Sequence, residues 1–288
     1  MRRWEIFLVF LLGLLGIELG VAEDGGRGAF ARLRLAEAYF EQGDDEAGYT
    51  WLEQVMGDCP GTREDFAARQ LMVRQLLCKS EGRIPGAADI ARAKGIVLDA
   101  LDAGALPILK QAELAYDAAR SLHARGTLAD EADIYQYALE KLDGGEPRDG
   151  ELAERIAQLW YALAIADGAR CQPEEMARAY DQAATRYPAT SCGAHAHLRL
   201  GSYYTDRDAA RAESEFRAPV DGANVDAYWE AHYYLAVFLV KEGRDAEALP
   251  YLDAFLQARP AYSYQCFEHA EALRAGIIAG MEYAEDAR

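Results

Sequence analysis

The chain has 288 residues, of which 51% are hydrophobic and 27% charged, a composition that predicts a folded, water-soluble protein and argues against wholesale disorder. Its net charge of −18 repels phosphate backbones and anionic membranes, so we expect no nucleic-acid partner. A chain of this length fits one or two ordinary domains or one continuous array of repeats.

The N-terminal segment differs in composition from the rest of the chain. Arg2 and Arg3 form a positive start, residues 6–17 carry no charge, and Gly20–Ala22 places small residues where a signal peptidase cleaves. We predict that residues 1–22 are a secretory signal peptide, so that the mature protein is exported, either periplasmic or extracellular. The apolar run is shorter than the roughly 20 residues of a membrane span. No transmembrane span is therefore expected after cleavage, and an uncleaved anchor is the alternative.

The rest of the chain repeats a pattern of large and small residues. Large, small and large residues at i, i+1 and i+4 predict the packed face of one helix, and a glycine four residues later ends it in the left-handed conformation of a C-cap. Small and large residues at i, i+4 and i+7 then predict a second helix, which a proline ends. Two copies align at a separation of 200 residues: Leu35, Ala36, Tyr39, Gly43, Gly48, Leu52, Val55 and Pro60, and Leu235, Ala236, Leu239, Gly243, Ala248, Leu252, Phe255 and Pro260.

Further copies of this pattern lie between these two. The segment 66–101 has helical periodicity but matches the pattern poorly, and the copy over 118–138 is weak. Better copies cover 160–188, where Asp167 takes the place of a large residue, and 200–216. The chain therefore contains five recognisable repeats and one degenerate repeat.

The small residues of the pattern predict where helices touch. Two helices approach closely only where one of them presents alanine or glycine, so Ala36, Ala164 and Ala236 are expected to be buried between paired helices. A final stretch places large residues on one helical face and has no partner helix after it, which predicts a C-terminal capping helix. That face consists of Phe267, Ala270, Leu273, Ile277 and Met281.

This spacing resembles the tetratricopeptide repeat (TPR). The resemblance implies an all-α, right-handed superhelical solenoid of antiparallel helix pairs. The junctions Tyr187–Thr190 and Cys59–Thr62, each with a proline and a small polar residue before an alanine-rich helix, are similar to those of exported bacterial envelope TPR proteins of the outer-membrane-assembly and cell-division-coordinator type. These relatives imply a role in the cell envelope.

One internal boundary is predicted. Residues 143–150 are the most turn-rich and least periodic segment of the chain, and they form either a long loop or a hinge between two sub-arrays. The predicted organisation is therefore a signal peptide over 1–22, N-terminal repeats over 23–142, a linker over 143–150, and C-terminal repeats with the capping helix over 151–288.

Catalytic and metal-binding patterns are missing from the sequence. His195 and His197 are two apart, and such residues point to nearly opposite faces of a helix, so they cannot share one ion. No metalloprotease, nucleophile-elbow, phosphate-loop, dinucleotide or Cys-x-x-Cys motif is present. We therefore predict no catalytic residues, no metal site, no cofactor and no enzymatic activity.

The five cysteines do not form an obvious disulfide framework. About 14 helical residues place Cys171 and Cys192 roughly 20 Å apart, beyond the ~7 Å that a disulfide allows. We predict single thiols, most of them buried. The first cysteine, Cys59, is too far from the apolar run to serve for lipid attachment.

Binding surfaces are the remaining functional candidates. In the TPR family the first helix of each pair lines the concave face, so residues next to the small-residue seams become groove candidates. Aromatic residues and arginine are enriched at protein interfaces. The predicted partner-binding groove comprises Phe40, Tyr161, Arg199, Tyr233 and Tyr234. The alternative is that these tyrosines only pack between repeats.

The most consistent function is a protein-protein interaction scaffold that holds a peptide segment or partner protein in a helical groove. Two alternatives remain open: a non-catalytic accessory module of a cell-wall-acting enzyme, and a self-associating structural protein.

Overall fold

A computed structural model describes residues 25–78, 85–125, 127–144, 150–222, 225–258 and 264–286, and the predicted signal peptide lies outside these ranges. Within them all regular structure is α-helical, as predicted. The helices are α1 (Gly25–Gln42), α2 (Asp45–Asp58), α3 (Arg63–Cys78), α4 (Ala87–Ala103), α5 (Ile108–His123), α6 (Leu128–Leu142), α7 (Gly150–Ala169), α8 (Pro173–Arg186), α9 (Ser191–Tyr204), α10 (Ala209–Asp221), α11 (Val225–Lys241), α12 (Asp245–Ala258) and α13 (Tyr264–Asp286).

The chain divides into two compact units, residues 1–146 and 147–288. The point of division lies within the turn-rich segment 143–150. In the N-terminal unit α1, α3 and α5 pack side by side, and α4 and α6 form a second layer behind them. In the C-terminal unit α7, α9 and α11 pack side by side, with α8, α10 and α12 each against its neighbours in sequence. In both units, the first helices of successive pairs therefore share one layer.

The alanine seams are confirmed. Ala36, Ala164 and Ala236 are each fully buried, with no solvent-exposed surface. A larger side chain at these positions would separate the paired helices, because cores are packed at crystal-like density. The predicted glycine caps are also confirmed where they are described, since Gly43 and Gly243 have φ angles of 81° and 72°. Only glycine takes this left-handed conformation without a steric cost.

The degenerate repeat forms a full helix pair, α3 and α4. Its register is fixed by Asp65, a buried carboxylate that accepts hydrogen bonds from the Gly61 amide at 2.8 Å and from Arg69 Nε at 2.7 Å. A buried charge is tolerated only when it is paired in this way. The sequence pattern is weak here because a polar network, instead of the usual large and small residues, holds the start of α3.

The start of α9 depends on a carboxylate from another helix. Thr190 accepts from the Gly193 amide at 3.0 Å, as an N-cap should. Glu154 on α7 accepts in addition from the Ser191 and Cys192 amides, at 2.9 and 3.3 Å. Two first helices of adjacent pairs are thereby joined by hydrogen bonds that no local sequence pattern predicts.

Two expectations about burial were wrong. Cys78 and Cys171 are exposed, and the other three cysteines are only half-buried, although all five are free thiols as predicted. They lie at or near helix ends, where fewer side chains surround them than in the middle of a helix pair. In α13, Ala270 and Ile277 are buried, but Met281 is 40% exposed.

Candidate functional site

The N-terminal unit has a groove on the face formed by α1, α3 and α5. Its volume is about 690 Å³. The apolar part of its lining includes Leu33 from α1, Leu71 from α3 and Leu114 from α5. Because three successive first helices contribute, the groove runs across the helix axes, an arrangement suited to a chain segment crossing all three.

The polar part of this lining carries both signs of charge. Three arginines contribute: Arg74 from α3, Arg120 from the last turn of α5, and Arg125 from the turn that follows α5. Two carboxylates also contribute. Glu37 accepts from Arg34 at 2.7 Å, and Asp117 accepts from the amide of Gln70 at 3.0 Å. The exposed thiol of Cys78 belongs to the same lining.

Phe40 borders a smaller cavity that adjoins this groove. The cavity measures about 400 Å³ and shares Glu37, Leu71 and Arg74 with the larger groove. The half-buried Phe40 ring lies edge-on to Tyr49, with centroids 5.2 Å apart. It also covers Gly48, where an added Cβ would collide with the ring. Phe40 therefore both packs between α1 and α2 and faces a cavity.

The other four predicted groove residues lie in the C-terminal unit, on first helices of adjacent pairs. Arg199 on α9 donates from Nε to the Tyr161 hydroxyl on α7 at 3.1 Å. This hydrogen bond raises the pKa of the Arg199 guanidinium. Tyr161 in turn lies edge-on to the buried Tyr180, with centroids 5.2 Å apart. The structure thus joins Tyr161 and Arg199 directly.

Tyr233 and Tyr234 on α11 are half-buried and make both core and polar contacts. Tyr234 stacks on Phe216 with an interplanar angle of 7° and a centroid distance of 6.2 Å. Tyr233 packs on Phe255 at 5.3 Å, and its hydroxyl lies 2.9 Å from Nδ1 of His269. Burial raises the pKa of Tyr233 to about 12. Its hydroxyl therefore stays protonated at neutral pH and remains able to donate a hydrogen bond.

The two histidines of the rejected metal pair have separate protein partners. Nδ1 of His195 lies 2.8 Å from the Ser191 carbonyl oxygen, and Nδ1 of His197 lies 2.7 Å from Glu215. In the described part of the chain, no group of three or more His, Cys, Asp and Glu side chains could hold a metal ion. The histidines therefore take part in helix packing.

Sequence reasoning missed the arginine-lined groove of the N-terminal unit. The central helix of this groove, α3, belongs to the repeat that matches the pattern poorly, so the pattern did not predict which face of α3 lines the groove. The available signal was the spacing of Gln70, Arg74 and Cys78, which recur every four residues and so share one face of α3.

Solved structures of other proteins share this helical architecture. No family model matches the chain, and no curated protein is significantly similar to it. Among solved structures, a signal-transduction ATPase of Pyrococcus horikoshii with a TPR sensor matches with a TM-score of 0.52 and 12% identity, covering 94% of this chain and 44% of that one. The chain has the TPR solenoid fold.

Two further TPR-fold structures resemble the chain more loosely. YrrB, described as a TPR protein with an unusual peptide-binding site, has a TM-score of 0.47 and 17% identity, and the match covers 77% of this chain and 97% of that one. PilF of Pseudomonas aeruginosa has a TM-score of 0.47 and 10% identity, covering 87% and 99%. In terms of TPR repeats, the groove of the N-terminal unit lies on the first helices of three successive repeats.

Over the residues described, no helix has the length and hydropathy needed to cross a bilayer.

Proposed function

We propose that this protein is an exported scaffold that holds a peptide segment or partner protein in a helical groove and serves in cell-envelope assembly or maintenance. The observation that carries the proposal is the groove of about 690 Å³ across α1, α3 and α5. It combines an apolar floor with polar and charged side chains that can fix the orientation of an occupant, as binding sites do. The aromatic and arginine residues of α7, α9 and α11 offer a second surface of the kind that proteins bind.

Photo-crosslinking from inside the groove tests the binding role. A photoreactive residue is introduced at Gln70, which lines the groove, and separately at Gln136, an exposed position on α6. Irradiation of living cells is expected to give a discrete adduct from position 70 and none from position 136. Ala67→Trp, which fills the groove, should remove the adduct. Ala91→Trp on the exposed surface of α4 should not.

The outcomes of that experiment separate the alternatives. An adduct of twice the protein's own mass indicates a self-associating protein, and an adduct with wall polymer indicates an accessory module of a cell-wall enzyme. Equal adducts from both positions, or an adduct that survives Ala67→Trp, contradict a binding role for this groove.

Export is tested independently of binding. The sequence of residues 1–22 supports cleavage after Ala22, so protein purified from its native host should begin at Glu23 and fractionate outside the cytoplasm. An intact Met1 on cytoplasmic protein would exclude the exported role and leave the binding role to the crosslinking result.

A further inference from the structure

Most arginine side chains in the described part of the chain form an ion pair, a hydrogen bond or a ring contact. The chain has 48 acidic and 30 basic residues, so each arginine has many carboxylates to choose from. Typical pairs are Arg69 with Asp65 at 2.7 Å, Arg92 with Glu53 at 2.9 Å and Arg211 with Asp181 at 2.9 Å. Other arginines lie against tyrosine rings or donate to carbonyl oxygens.

Four arginine side chains make no hydrogen bond, ion pair or ring contact with any described residue, and three of these line one cavity. They are Arg63, at the start of α3, and the groove residues Arg74, Arg120 and Arg125. In an acidic protein, unpaired arginines that gather in a single groove need a reason. The simplest is that their partners lie on the molecule that occupies the groove.

The carboxylates in the lining do not supply those partners. Glu37 is already bonded to Arg34, and Asp117 accepts from Gln70. Neither carboxylate forms an ion pair with the three guanidinium groups, so the groove keeps three unpaired positive charges beside the single negative charge of Asp117, which the neutral Gln70 amide does not neutralise. Because they border the apolar floor of Leu71 and Leu114, an occupant would exclude water around them and strengthen any pairing. Guanidinium groups bind carboxylates through two parallel hydrogen bonds, which gives direction as well as attraction.

We propose that the N-terminal groove binds a partner segment whose Asp or Glu side chains pair with Arg74, Arg120 and Arg125, with apolar side chains between them on the leucine floor. This inference rests on the proposed function and names the chemistry of the partner. Three helices packed 8–10 Å apart span about 20 Å, which an extended segment of about six residues crosses.

The test begins with selection from a random-peptide library on the full mature chain. The selected peptides are expected to be enriched in Asp and Glu, and selection on the Arg74→Gln, Arg120→Gln, Arg125→Gln triple variant should lose that enrichment. A second triple variant, Arg63→Gln, Arg178→Gln, Arg207→Gln, changes the net charge equally but leaves the groove intact, and it should retain the enrichment. Melting curves of both variants confirm that they are folded.

Binding of one selected peptide then locates the interaction. A control peptide carries Asn and Gln in place of each Asp and Glu. We expect the control to bind the native chain at least about tenfold more weakly than the acidic peptide does. The groove variant should bind both peptides equally, because the acidic side chains act through the three arginines that it lacks. Peptide binding should also slow alkylation of Cys78, which lines the groove. Cys171, an exposed thiol of the C-terminal unit, is the internal control and should react at an unchanged rate.

Several results would overturn the inference. One is selection of peptides without acidic enrichment; another is equal enrichment on the groove variant. Protection of Cys78 by such neutral peptides would leave the proposed binding function intact. If the library yields no peptide on the native chain, the inference fails, and the crosslinking from position 70 alone decides the function.

Discussion

Replacing Gly193 with alanine should destabilise the C-terminal unit by about 3 kcal/mol or more, which lowers the melting temperature by roughly 6–12 °C. Gly193 lies in the first turn of α9, under the junction that follows α8. A Cβ at this position would lie far closer to the Tyr187 carbonyl oxygen than the 3.0 Å that real Cβ contacts keep, and 3.0 Å from the Ala183 carbonyl oxygen. A backbone oxygen cannot avoid this clash by changing rotamer, as a side chain could, so the backbone itself would have to shift.

A glycine in the same unit provides the matched control. Gly276 lies within α13, where an added Cβ meets no atom within 4 Å. Gly276→Ala is therefore expected to be neutral or to stabilise the helix by up to about 1 kcal/mol, since alanine is the better helix former. Thermal unfolding followed by circular dichroism compares the two. A Gly193→Ala protein that melts like the native chain would show that the junction can open at little cost.

Replacing Tyr233 and Tyr234 together with alanine should also strongly destabilise the protein. Both rings are half-buried against Phe255 and Phe216, so we expect a stability loss of about 2–5 kcal/mol, less than the sum for two fully buried aromatics. Loss of partner binding in this variant would be ambiguous, because the surface itself would be disturbed.

Tyr→Phe substitutions at the same two positions separate packing from binding. They keep the rings and remove only the hydroxyls, one of which contacts His269. The double Tyr→Phe protein should melt within about 1 kcal/mol of the native chain. If these residues bind a partner through their hydroxyls, crosslinking from a photoreactive residue introduced beside them on α11 should weaken. Unchanged crosslinking, with a destabilised alanine variant, would mean that the tyrosines serve packing alone.

The repeat pattern predicted the architecture because the interactions that build it are local. An alanine or glycine at a fixed spacing permits a close helix crossing, and a glycine or proline after the helix ends it. These features allowed the helix pairs around Ala36, Ala164 and Ala236 to be predicted from the sequence. The pair α3 and α4 was the exception, since the buried Asp65 and its partners replace the usual residues at its start.

The binding surface could be predicted only in part. Of the five residues predicted to form the groove, Phe40 borders a cavity. Whether the five chosen residues bind a partner stays a prediction. The tyrosines of α11 are partly buried and partly exposed. The sequence cannot predict the buried fraction of each ring, because this fraction depends on how far Phe216 and Phe255 extend from the neighbouring helices.

By itself, the sequence determined an all-helical repeat protein, where several of its helices end, and which small residues its helix pairs bury. It also predicts an N-terminal signal peptide, from the two arginines, the apolar run and the small residues before Glu23. Only the tertiary structure decided which arginines remain without carboxylate partners. Pairing depends on distances between side chains that are far apart in the chain: Arg92 pairs with Glu53 on another helix, whereas Arg74, Arg120 and Arg125 line a groove whose two carboxylates, Glu37 and Asp117, form no ion pair with them.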